Sequence, residues 1–135
     1  MPWLISARVS ARAQTCLILF ALLVISGCGG TSTHPVTGVV TLDGAPLQGA
    51  HVIFYPIEGG RTNSIDVTDA AGAYALTYTS TETGAMVGDY KILILKPKGP
   101  EEKETLPAKY NTDSILTAKI TADGDNIFNF DLESK

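Results

Sequence analysis

Two thiols, two imidazoles and a few paired carboxylates are the side chains with chemical reach. They are Cys16, Cys28, His34, His51, Asp66 with Asp69, and Asp123 with Asp125. Nucleophilic catalysis needs a Ser or Cys beside a base that is itself oriented by a third group. No such grouping stands out. His51 reads as an exposed strand residue, His34 lies near the N-terminal segment, and Arg61 sits in the Gly-rich stretch EGGR. The two acidic pairs could offer oxygen ligands to calcium, but neither has the spacing of a calcium loop. Asp in turns more commonly bonds its own backbone. Stacking on sugar rings would fall to Tyr55, Tyr78 and Tyr110, since Trp3 is the single tryptophan and lies at the extreme N-terminus. The expectation is therefore no catalytic residue, no metal and no cofactor.

Covalent chemistry points instead to Cys28. Residues 1–12 hold Arg8 and Arg12 and no acid, and 15–25 read TCLILFALLVI. Ser26 and Gly27 are small, and Cys28 follows. A positive end, an apolar stretch of about 7–15 residues and small residues at a cut form a secretory signal. The apolar run is short of the roughly 20 residues that a spanning helix needs. Ile25-Ser26-Gly27-Cys28 resembles the bacterial lipobox. That resemblance implies removal of residues 1–27 and a diacylglycerol on Cys28, with its freed amine often acylated as well. Two or three acyl chains hold a soluble domain firmly where one is marginal. Residues 28–35 then form a flexible tether, small and polar over 29–34. Cys16 leaves with the signal, so no intramolecular disulfide remains.

Beyond the tether the pattern changes to short β segments between turns. Strands are predicted at 36–42, 50–57, 63–68, 73–78, 89–96, 115–121 and 126–132. Alternation is clearest where Tyr74, Leu76 and Tyr78 oppose Ala73, Ala75 and Thr77, and where Phe128, Phe130 and Leu132 oppose Asn129 and Asp131. The aliphatic run Ile92–Leu95 places 89–96 centrally, buried on both sides for part of its length. Asp123-Gly124 suggests that the last two strands form a terminal hairpin. No 3.6-residue period follows the signal. One all-β domain over 36–135 is expected, a seven-stranded antiparallel Greek-key sandwich. Its predicted core is Val40, Leu42, Val52, Phe54, Tyr74, Leu76, Tyr90, Ile92, Ile94, Phe128, Phe130 and Leu132.

Residues 38–54 read GVVTLDGAPLQGAHVIF and 68–74 read TDAAGAY. Together they resemble the carboxypeptidase regulatory-like domain, a transthyretin-like or prealbumin-like sandwich. Gly88-Asp89-Tyr90 and Pro107-Ala108-Lys109-Tyr110 look like small lipoproteins of planctomycete-type bacteria that carry it. These motifs are turn chemistry, so the resemblance implies a fold more than an activity. Transthyretin-like hydrolases use a His and Arg cluster and a C-terminal Tyr-Arg-Gly-Ser, whereas this chain ends Leu-Glu-Ser-Lys. A spontaneous Lys–Asn isopeptide, as in collagen-adhesin repeats, needs a first-strand Lys, which 36–42 lacks.

Fourteen acidic against ten basic residues give a net charge of −4, and Arg8 and Arg12 both precede Cys28. An acidic domain without a basic stripe makes no nucleic-acid binder. The sequence thus leads to a non-enzymatic structural or protein-interaction module of the bacterial cell envelope. Membrane lipid would hold it through acylated Cys28, with the outer membrane favoured over the inner and the domain in the periplasm or at the cell surface. Its partner would be an envelope protein or a glycan. The alternative is a carbohydrate- or peptide-binding accessory domain of an envelope enzyme system. The longest connection, 97–114, carries three prolines and a charge cluster and is the first place to look for a recognition surface.

Overall fold

The computed structural model describes residues 32–101 and 103–135. Ten short strands run in order: β1 (Thr33–His34), β2 (Thr37–Leu42), β3 (Ala45–Pro46), β4 (His51–Pro56), β5 (Ser64–Val67), β6 (Ala73–Ala75), β7 (Ala85–Met86), β8 (Gly88–Leu95), β9 (Thr117–Ile120) and β10 (Phe130–Leu132). A single 3-10 turn, Ala108–Tyr110, is the one helical element among the described residues. The strands form two four-stranded sheets and one small pair. One sheet runs β5-β4-β8-β9. The other is built on β2, with β10 on one side and β3 and β6 sharing the other. The chain is an all-β sandwich, as the turn-punctuated alternation predicts.

Period-2 alternation is what makes the sheets face each other. Along β4, Val52 and Phe54 are fully buried, while His51 and Tyr55 are exposed and Ile53 is half-buried. Along β8, Tyr90, Ile92 and Ile94 are buried and the residues between them are not. Successive side chains of a strand point to opposite faces. Every predicted core residue is buried or packed against the core; Leu42 and Phe128 are the two that keep part of their surface. Val36, Leu47, Ala50, Ala85, Leu106, Tyr110, Ala118 and Ile120 join them.

Five expectations need correction. The last two strands do not form a hairpin: β9 pairs with β8, and β10 pairs with β2 in the other sheet. The Asp123-Gly124 turn therefore carries the chain across the sandwich. The sheets are not wholly antiparallel either, because β10 runs parallel to β2, Phe130 opposite Val40 and Leu132 opposite Leu42. And β8 is central, between β4 and β9, yet Leu93 and Leu95 lie on its outer side, half-buried, so the aliphatic run is not enclosed on both faces. The count of seven strands rises to ten because the small strands β1, β3 and β7 are added. Thr33 and His34, read as part of the flexible stretch, pair with Met86 and Ala85.

The registers define two poles. The chain enters beside β1 and β7, at the end that also holds the 121–125 turn. The opposite pole carries the Asp43-Gly44 turn, the 97–114 connection and the C-terminus. There Asp43 accepts the Ser134 backbone N–H at 3.0 Å. Hydrogen bonds from Ser134, its side chain first, hold the exposed Asp43 carboxyl below the usual aspartate range.

Candidate functional site

Cys28 and the lipobox lie outside the described residues. Among the described residues no helix is long and apolar enough to cross a membrane. His51 and Arg61 are not brought together. His51 opens β4 opposite Leu95 at one end of β8. The Arg61 guanidinium donates to the Val87 carbonyl at 2.5 Å, next to the other end. Asp66 accepts the Ala75 N–H at 2.7 Å, and Asp69 accepts those of Ala71 and Ala73 at 2.9 and 3.0 Å. Both carboxylates are thus committed to local backbone. Among the described residues no group of three or more His, Cys, Asp or Glu could hold a metal ion. Of the three tyrosines weighed for sugar stacking, Tyr110 is buried, and its hydroxyl accepts the Glu133 N–H at 3.0 Å. Tyr78 is half-buried and Tyr55 stays open.

The sequence motifs are spent on the fold. In 68–74 the buried Thr68 hydroxyl donates to the Leu47 carbonyl and accepts the Ala50 N–H, stitching two turns together. Gly72 has φ +74°, and a Cβ there would strike the Val40 carbonyl. The Tyr74 hydroxyl crosses over Gly38 to donate to the Phe128 carbonyl at 2.6 Å. Asp43 (φ 50°) and Gly44 (φ 82°) form the two-residue turn between β2 and β3, the left-handed pair that suits strand twist. Burial raises the pKa of Tyr74 well above the ordinary tyrosine value. Its folded value therefore exceeds its unfolded value of about 10. The associated stability is complete below that pH and is lost as pH rises beyond it. Thermal melts at pH 7 and near pH 11 should show it. Tyr74→Phe is expected to cost about 1 kcal/mol at neutral pH, for the lost hydrogen bond, and to show a smaller alkaline drop than wild type. An equal alkaline drop in both proteins would assign the loss to other groups.

The 97–114 connection is tied down from Glu104 onward, while Pro97, Lys98, Pro100, Glu101 and Lys103 are exposed. The Glu104 carboxylate accepts the N–H groups of Lys96, Thr105 and Leu106 at 2.8 to 3.0 Å. Leu106 and Tyr110 are buried in the core, and the Asn111 amide, itself buried, reaches the Pro107 carbonyl at 3.3 Å. Ser114 donates to the Ile92 carbonyl. The loop closes the far end of the sandwich.

A surface with recognition potential lies elsewhere, on the outer face of the β5-β4-β8-β9 sheet. Cross-strand pairing sets its rows. Ile65, Ile53 and Leu93 stand side by side on β5, β4 and β8. Continuing the β8–β9 register by two residues places Ile115 opposite Leu93. The next row toward the far pole is Val67, His51 and Leu95, and on the other side lies Tyr55, Lys91 and Thr117. Ile115 is 72% exposed, Ile65 and Tyr55 53%, and Val67 48%. Scattered apolar residues on a surface mean little, but a contiguous apolar patch marks a contact surface. The sequence carried a signal for it: Ile53, Ile65, Val67, Leu93 and Leu95 are apolar at positions where alternation asks for polar residues.

No family model matches the chain, and no curated protein matches it. Two solved structures align with it at low similarity. The major pilin subunit of Bacillus cereus does so with a TM-score of 0.48 and 15% identity, over 76% of this chain and 30% of that one. A 9R-lipoxygenase from Cyanothece PCC8801 does so with a TM-score of 0.37 and 12% identity, over 75% of this chain and 16% of that one. The chain thus spans less than a third of either protein.

Proposed function

We propose that this chain is a lipid-anchored, non-enzymatic envelope protein whose transthyretin-like, carboxypeptidase regulatory-like domain serves as an interaction module. The observation that carries the interaction role is the contiguous apolar row Ile65–Ile53–Leu93 on an open sheet face. Fully burying a fully exposed large aliphatic side chain is worth about 1.5–3 kcal/mol; Ile65 is 53% exposed and Ile53 and Leu93 are half-buried, so a partner covering them gains a fraction of that at each position. The anchor rests on the signal, the lipobox and Cys28. The motif residues support the family reading, because each performs a turn or packing task. A glycan-binding role finds less support, since Tyr110 is buried and Tyr55 is one ring without a neighbouring platform.

The experiment is in-cell crosslinking and mass spectrometry on envelope fractions from wild type, Cys28→Ser and Ile65→Lys. Wild type is expected to stay with membranes, to show an acylated Cys28 peptide and to yield a defined crosslinked partner. Cys28→Ser should release the protein from the membrane, and Ile65→Lys should lose the partner while keeping the anchor. An unmodified Cys28 peptide in wild type would remove the anchor. Partners unchanged by Ile65→Lys would remove the face.

A further inference from the structure

We infer that the partner covering this sheet face is a second copy of the same chain, packed sheet to sheet. This rests on reading the face as a docking surface and goes beyond it by naming the occupant. Three observations select it. The first is symmetry. The aliphatic row crosses the whole sheet, so a two-fold axis parallel to the strands and midway between β4 and β8 lays the row on itself. Ile53 then faces Leu93 of the other copy, and Ile65 faces Ile115. A two-fold interface demands such self-complementarity.

The second is charge. The same axis lays Tyr55 over Lys91 of the other copy, and this contact occurs twice. An ammonium over a Tyr ring is attractive. Lys91, Lys119 and Asp89 all lie off the axis, so none meets its own mate. His51 faces Leu95, its neighbour by pairing within the chain as well. The third is extent. Ile57 donates its N–H to Asp89, and Asp89 pairs with Lys119, adding a fourth row to the face. The positions named form one row of four and three rows of three; with strands about 4.8 Å apart and rows about 6.8 Å apart they cover roughly 420 Å² per copy. Two copies together bury roughly 850 Å², in the range of weak and transient contacts. Face-to-face sheets pack about 10 Å apart with their mean strand directions within about 30° of each other, a condition that an axis along the strands meets. The interface is therefore reversible, and confinement on one membrane surface raises the effective concentration that populates it.

The test uses the full chain expressed in a bacterial host, with a photoreactive phenylalanine analogue in place of Tyr55. The expected product is a self-crosslinked dimer whose joined peptide contains Lys91. Ile65→Lys and Ile115→Lys, both at exposed positions that fold without them, should each cut its yield at least ten-fold. Sedimentation of the detergent-extracted chain should show the same loss of dimer, with melting unchanged. Adducts with a different protein or with lipid alone overturn self-pairing and leave the docking face standing. No adduct of any kind from Tyr55, in a chain that remains membrane-bound, overturns the docking face as well. A self-crosslink indifferent to both lysine variants also overturns the geometry.

Discussion

Gly38→Ala is expected to prevent this domain from folding, or to leave its last strand detached. A Cβ at position 38 would land on the Phe128 carbonyl oxygen and within 2.7 Å of the Tyr74 hydroxyl. The obstacle is backbone, which cannot rotate away. To admit one methyl group, residues 126–128 must move outward by more than an ångström. That movement breaks the Phe128 N–H to Thr37 carbonyl bond at 2.9 Å and the Thr37 N–H to Asn126 carbonyl bond at 3.1 Å. It also removes the Tyr74 hydroxyl from its acceptor. Overpacking a core commonly costs about 1–3 kcal/mol; adding three hydrogen bonds at about 1 kcal/mol each brings the total near the stability of a small domain. Gly59 is the control. Nothing lies within 4 Å of a Cβ there, so Gly59→Ala should melt within a few degrees of wild type. Circular dichroism melts of both variants decide the matter. A cooperative Gly38→Ala melt at the wild-type temperature would show that the 126–128 segment does not lie where the structure puts it.

Phe54→Ala has the next largest expected effect. Phe54 is fully buried, and four rings surround it: Phe128 at 5.8 Å between centroids, Tyr90 at 5.9 Å, Tyr74 at 6.3 Å and Phe130 at 6.4 Å. Tyr90 comes from the sheet of Phe54 itself and Tyr74 and Phe130 from the other, so the ring of Phe54 is a point at which the sheets are joined. Large-to-small changes at buried Phe cost about 3–5 kcal/mol. Aromatic pairs add about 0.5–1.5 kcal/mol each beyond area, which places this site at the top of the range. For a domain of about 100 residues the melting temperature should fall by roughly 20 °C. Phe54→Leu should recover much of that loss. A drop of only a few degrees for the alanine variant would mean that the rings re-pack around the cavity.

The inner half of this fold was legible because it is written with period 2. Val52 with Phe54, and Tyr90 with Ile92 and Ile94, announce their faces without outside help. The turns were legible as well, since Asp43-Gly44 and Gly72 need special backbone angles. What local pattern does not encode is the partner of a strand. Asp123-Gly124 fits a hairpin and a sheet-to-sheet crossover equally, and the difference lies in the long-range match of β10 to β2. Asn129 helps decide it, since its side chain accepts the Val39 N–H at 2.9 Å across the parallel pair. The Thr41 hydroxyl donates to Asp131 at 2.6 Å in the same junction. These residues read only as polar positions on an alternating strand. The 97–114 segment misleads for a related reason. Its prolines and charges look like an open loop, and only the folded chain shows Leu106 and Tyr110 inserted beneath it.

The parallel pairing of β2 with β10 has a mechanical consequence. The chain enters β2 from one pole and leaves β10 at the other. A pull on the N-terminal end, opposed by a load on the C-terminal end, drives these two strands past each other along their length. The pair is then loaded in shear, with its backbone bonds and the Thr41–Asp131 and Val39–Asn129 links strained together rather than one after another. A hairpin at the chain ends would have unzipped. Were the domain held by lipid at its N-terminal end, as proposed, and gripped at the other, this seam would carry the tension once β1 had parted from β7.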